Sequence, residues 1–304
     1  MPLYWPTITE GAIIDIIAPS GRFVVSDLAA IQAFVAKQGW QARMSPNLLG
    51  AHDFLANSDA HRLAQLQQAL TAQDSEIIWC VRGGHGTTRL VNDLLVLKKP
   101  VKPKLMVGFS DITTLHLALN QCWAWPSLHA PMARQVSVGE SDARDVQALL
   151  ALWRGGLPDY RLTGLVPHNT LTHNVNQLTG ITAGTCLSLL QTSLGTAWQL
   201  QAQDKILFIE DINEQAYKLD RMLVHLNNAG VWQQATAIVL GDFGENLTTL
   251  QQAQQARVLH EFSQAQAVPV FALKGFGHGA RNKPIPLGVN ATIQPQGDMW
   301  SLSY

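Results

Sequence analysis

The feature that most restricts this chain is an alternation of short apolar runs with longer amphipathic stretches between residues 12 and 140. "AIIDIIAPSG" reads as a strand followed by a glycine turn, and "DLAAIQAFVAKQGW" has helical apolar spacing and stops at Gly39. "SDAHRLAQLQQALTA" is an amphipathic helix started by Ser58 or Asp59. Then come "EIIWCVRGG" as a strand ending in a glycine loop, "TTRLVNDLL" as a helix, "KLMVGF" as a strand and "DITTLHLALNQ" as a helix. Strands alternating with helices pair in parallel through right-handed crossovers, so the expected class is α/β. Ligands of such sheets bind beyond the carboxyl ends of the strands, which directs three loops to one edge: residues 19–21, 82–86 and 109–111.

At 304 residues and 47% hydrophobic content the chain has room for two domains with substantial cores. Residues 1–140 make the expected N-terminal α/β domain. Residues 141–178, with "RGGLPDY" and "VPHNTLTHN", read as an irregular connection between domains. Residues 179–304 make the C-terminal domain. There "GITAGTCLSLLQTSLG" reads as a glycine turn entering a buried helix, "KILFIED" and "ATAIVLGDF" as strands, and "EQAYKLDRMLVHLNNAG" as a helix closed by Gly230. "ARVLHEFSQA" is a further helix, and the Gly- and Pro-punctuated tail carries short strands of a mixed sheet, making this half α+β.

The 21 Lys+Arg against 22 Asp+Glu leave a net charge of −1, with only 14% charged residues, so there is no basic field to gather nucleic acid or anionic lipid. A small molecule or peptide is the expected ligand. No basic leader with a long apolar stretch opens the chain, and no apolar run approaches the ~20 residues of a membrane span. Cys80, Cys122 and Cys186 are too few and scattered for a disulfide framework and form no C-x-x-C pair, which fits a reducing cytoplasm.

Four stretches carry residues suited to chemistry. In "VGFSDIT", Ser110 falls between a strand and a helix. There it reads as an N-cap, as a nucleophile exposed on a sharp turn, or as both, since a serine that begins the helix aims the following N–H groups at an oxyanion. Gly108 permits a tight approach, but Ile112 replaces the second glycine of the G-x-S-x-G elbow. "RGGHG" is either a plain tight turn or a cradle of unshielded backbone N–H groups; it is not the G-x-G-x-x-G of a dinucleotide site. In "LFIEDINE", Glu210 ends an apolar strand, either as a cap or surface charge or as the acid that orients an imidazole. His278 stands among glycines in "GFGHGARN", a setting for proton work, whereas His61, His116, His225 and His260 lie in helical stretches facing solvent or neighbours. A serine, a base and an acid are the three parts a serine hydrolase requires.

In this order and over nearly the whole chain, "IIAPSG", "RGGHG", "GFSDITTLH", "HAPM", "IEDINEQAYKLDRML", "AIVLGDF" and "GFGHGARNKPIPLG" resemble the serine LD-carboxypeptidases, peptidase family S66, which includes the microcin-immunity type. The resemblance implies Ser110 as nucleophile, Glu210 as the acid that orients the base, and His278 as that base. It implies the backbone N–H groups of Gly84 and Asp111 as oxyanion donors. Family members commonly have Tyr where His85 stands and Asn where Cys186 stands. The implied enzyme is cytoplasmic and homodimeric, with the triad assembled between its two domains and no metal or other cofactor. It would hydrolyse the bond before the terminal D-alanine of murein tetrapeptides, with Arg82 and Arg281 as candidates for the substrate carboxylate or for ordinary ion pairs. The alternatives are an immunity-type hydrolase of acyl-nucleotide antibiotics and a non-catalytic ligand-binding protein on the same cleft.

Overall fold

A computed structural model describes residues 4–244 and 247–304. The chain divides into two compact units: residues 4–157 with 284–286, and residues 158–244 and 247–283 with 287–304.

The first unit opens with β1 (Ile13–Ile17), α1 (Asp27–Lys37), β2 (Gln41–Met44), α2 (Asp59–Thr71) and β3 (Ser75–Cys80). It continues with α3 (Val91–Val96), β4 (Leu105–Gly108), α4 (Thr113–Cys122), β5 (Ser127–His129), α5 (Ala133–Ser137) and α6 (Ala143–Trp153). β2, β1, β3, β4 and β5 pair in parallel. The inner strands are apolar runs because helices cover both faces of a parallel sheet, and Ile14, Ile16, Ile78, Met106 and Val107 are buried. Ser58 caps α2 by accepting from the His61 N–H. The predicted helix at 87–95 is instead a 3-10 turn at Thr87–Arg89 followed by α3.

The irregular connection expected at 141–178 is largely regular. α6 starts on Asp142, whose side chain accepts from the Arg144 N–H, and buries Leu149, Leu152 and Trp153. Trp153 meets Trp79 edge-on at 5.0 Å, and its other neighbour, Trp40, lies 5.7 Å away. Those apolar positions are spaced for one helix face, but the Gly and Pro residues that follow dominate the reading of the stretch.

The second unit holds β6 (Arg161–Pro167), β7 (Leu178–Cys186), α7 (Leu187–Thr192), β8 (Lys205–Glu210), α8 (Ala216–Asn228), β9 (Ala237–Leu240), α9 (Thr249–Ala265) and β10 (Val270–Ala272). Next in the chain, β11 (Ile285–Leu287) pairs with β5 and completes the first unit's sheet in the order β11-β5-β4-β3-β1-β2. β12 (Asn290–Gln296) and β13 (Met299–Ser303) return to the second unit, whose strands close into a barrel, β10-β6-β13-β12-β7-β8-β9. Its strands are mixed as expected: β7 to β10 run parallel along the β7-β8-β9-β10 arc, and the remaining pairs are antiparallel. "GITAGTC" is strand rather than turn. Gly184 mimics a turn signal, but a Cβ there would lie 2.3 Å from the Phe208 carbonyl oxygen on β8, so the residue serves close strand approach.

Candidate active site

β4 ends at Gly108, and the chain passes through Phe109 in extended backbone (φ −152°, ψ −171°) into a one-turn 3-10 helix at Ser110–Ile112 that leads into α4. Ser110 itself has φ +61°, the left-handed region that costs a residue with a Cβ about 1–2 kcal/mol. The N-cap reading of Ser110 is therefore corrected. Phe109 holds the cap position, and no side-chain cap bond closes either the turn or the helix. The strained turn instead presents the serine. His116 on α4 is fully buried and donates from Nε2 to the Gly108 carbonyl (2.9 Å), bracing the strand end from behind. Burial lowers its pKa to about 4 despite that bond.

The loop after β3 lies against Ser110. A Cβ on Gly83 would sit 3.0 Å from Ser110 Cβ and 3.3 Å from its Oγ, so any larger residue there would crowd the hydroxyl. Gly84 adopts φ +119°, which side-chain-bearing residues rarely reach. The Gly21 N–H donates to the Gly83 carbonyl (3.1 Å), joining the loop after β1. Asp111 is buried. Its Oδ2 accepts from Ser20 Oγ (2.6 Å) and from the Thr87 N–H (2.9 Å), while its own carbonyl accepts from Thr87 Oγ1 (2.6 Å). Arg62, fully buried on α2, donates to the carbonyls of Pro19, Gly86 (3.0 Å) and Asn57 (3.2 Å) and pairs with Asp59. The three loops expected at one sheet edge are thus cross-linked.

In the second unit, Glu210 ends β8 with its side chain fully buried, and its Oε2 lies 2.6 Å from His278 Nδ1. His278 is carried on a loop tied down just before it. Asp242 Oδ2 accepts from the Gly275 N–H (2.9 Å), the Phe276 carbonyl accepts from the Asp242 N–H (2.7 Å), and Phe276 packs edge-on against Phe208 of β8 (5.5 Å). Next to Glu210, Asp211 accepts from the N–H groups of Ser188 (2.8 Å), at the start of α7, and Ile212 (2.8 Å). Burial, then the neighbouring Glu210, raises the Asp211 pKa to about 6. Cys186 pairs with Glu210 in the β7–β8 register, and burial raises its thiol pKa well above the usual value, which keeps it protonated.

Ser110, Gly84, Asp111 and Arg82 belong to the first unit, and Glu210, His278 and Arg281 to the second. Arg82 is exposed and donates to the Arg22 carbonyl (2.7 Å). Arg281 follows His278 by three residues, with its side chain beside Gly275. Sequence reasoning missed Ser20, Thr87, Arg62 and Asp242. Each acts through a contact distant in sequence, which no local spacing encodes.

Family models match both parts of the chain: the LD-carboxypeptidase N-terminal domain over residues 14–130 and the LD-carboxypeptidase C-terminal domain over residues 179–293. A murein tetrapeptide carboxypeptidase of Pseudomonas aeruginosa is 27% identical over 293 residues, 94% of each chain. Among solved structures, a muramoyltetrapeptide carboxypeptidase from Oxalobacter formigenes superposes with TM-score 0.80 at 27% identity, covering 96% of this chain and 98% of that one. The microcin C7 self-immunity protein MccF bound to aspartyl sulfamoyl adenosine superposes with TM-score 0.79 at 16% identity, covering 100% and 99%; this likeness is one of fold. The chain belongs to the LD-carboxypeptidase family, peptidase family S66.

Proposed function

We propose that this protein is a serine carboxypeptidase that releases the terminal D-alanine of murein tetrapeptides. The reading is supported by the pairing of His278 Nδ1 with the buried Glu210 Oε2, which commits one ring nitrogen to a carboxylate and leaves the other for the proposed proton transfer. Ser110 Oγ attacks the scissile carbonyl carbon as His278 Nε2 takes its proton. Glu210 stabilises the imidazolium, and the N–H groups of Gly84 and Asp111 receive the oxyanion. Collapse breaks the C–N bond, His278 returns the proton to the leaving D-alanine nitrogen, and water activated by the same histidine cleaves the acyl-enzyme. Arg82 and Arg281 are the cations proposed for the substrate's terminal carboxylate. A cytoplasmic homodimer is part of the same reading. Among the described residues no helix is long and apolar enough to cross a membrane.

The murein substrate is supported by the two carboxypeptidases at 27% identity over nearly the full chain. Mass spectrometry of D-alanine released from a murein tetrapeptide, run beside a peptidyl-sulfamoyl adenosine, tests it. The expected result is D-alanine release that Ser110→Ala reduces by about four powers of ten or more in kcat. Preferential turnover of the sulfamoyl adenosine would reassign the substrate, and full activity in Ser110→Ala would remove the nucleophile.

A further inference from the structure

We propose that the Asp111 side chain is a positioning group: by binding Ser20 and Thr87 together, it sets the oxyanion N–H groups of Gly84 and Asp111 against Ser110. This rests on the serine-hydrolase reading above and assigns to the carboxyl group a task separate from that of the Asp111 backbone. A buried carboxyl with two donors on one oxygen is costly to desolvate unless the bonds it makes are held. Here the donors come from two other loops: Ser20 Oγ from the loop after β1 and the Thr87 N–H from the turn just beyond 82–86. Ser20, Thr87 and Asp111 are each 2% exposed or less, so water does not compete for these bonds. Ser20 Oγ also lies 3.3 Å from the His85 carbonyl, a longer contact than its 2.6 Å to Asp111.

The geometry gives each partner a consequence for the site. Thr87 lies three residues after Gly84, and Ser20 precedes Gly21, whose N–H holds the Gly83 carbonyl and whose Cα faces Gly84. Fixing Asp111 Oδ2 therefore fixes the Gly84 loop from both ends, on the same residue whose backbone follows the strained Ser110. Arg62 ties the 19–21 loop to Gly86 independently. Cutting the Asp111 clamp should accordingly loosen the oxyanion donors without unfolding the loops.

The test compares Asp111→Ala, Asp111→Asn, Ser20→Ala and the Ala/Ala double variant in the full chain. It reads kcat and KM for D-alanine release, and the rate at which a fluorophosphonate labels Ser110. Asp111→Ala should lower kcat and labelling by about 100-fold with KM little moved, the size of losing an oxyanion donor. Asp111→Asn should recover to within about fivefold, because one amide oxygen can accept both bonds. Ser20→Ala should cost about tenfold alone and nothing further beside Asp111→Ala, because the two share one bond. Asp111→Ala within threefold of the parent, Asn as slow as Ala, or additive losses would each overturn the clamp. Failure of the underlying reading is separable: Ser110→Ala would then keep its turnover, or the probe would label another residue, and the clamp would fall with it.

Discussion

Ser110, the proposed nucleophile, stands in a backbone conformation that a side-chain-bearing residue disfavours. At φ +61° its Cβ is strained, and glycine is the residue that adopts this backbone at little cost. Ser110→Gly should therefore abolish turnover while raising stability by about 1 kcal/mol, read as a higher denaturant midpoint with an unchanged slope. A less stable Ser110→Gly protein would mean that the turn is not strained. Opposed changes in stability and activity at one residue would mark a site, and the sequence carries only part of that signal. "GFSD" places a serine between strand and helix, and capping and nucleophilic readings share that spacing; the left-handed dihedral angle and the cap position of Phe109 are visible only in the structure. Glu210 and His278 are legible as residues set at a strand end and on a glycine loop, but their pairing, 2.6 Å in the structure, is implied only by the family resemblance, because 68 residues separate them in the chain.

At the scale of elements, α4 is an apolar helix with a histidine in its buried face. His116 braces the Gly108 carbonyl, and its pKa falls from 6.5 to about 4 because burial disfavours the imidazolium. The unfolded chain then binds the proton more readily than the native protein between those values. Stability from this group is complete above pH 6.5 and is lost as the pH falls towards 4, by about 3 kcal/mol in all. Denaturant melts of wild type against His116→Gln should show the wild type losing that much more over this window; parallel curves would contradict it. Elements with clean periodicity, such as α1, α2 and α8, were readable because their apolar faces are read from neighbouring residues. α6 and β7 were not. The glycines and prolines after α6 suggested a linker, and the glycines inside β7 suggested a turn, although Trp153 is placed by Trp79 and Gly184 by the Phe208 carbonyl.

For the molecule as a whole, the first unit is not contiguous in sequence, since β11 joins its sheet beside β5 after the chain has built most of the barrel. A fragment ending at residue 157 would leave the β5 edge unpaired, and open edges recruit other strands. Such a fragment should self-associate in sedimentation experiments, and a synthetic peptide spanning residues 282–289 should bind it and suppress that association. A monomeric fragment indifferent to the peptide would show that β11 is dispensable. The same discontinuity matters on the ribosome. β5 leaves the exit tunnel roughly 150 residues before β11, which at about 5–20 residues per second is a delay of roughly 8–30 s. During synthesis the half that bears Ser110 must therefore wait, one edge uncovered, for three residues translated after most of the second unit, and elongation speed through the second half becomes a determinant of how much of the first half is lost to aggregation.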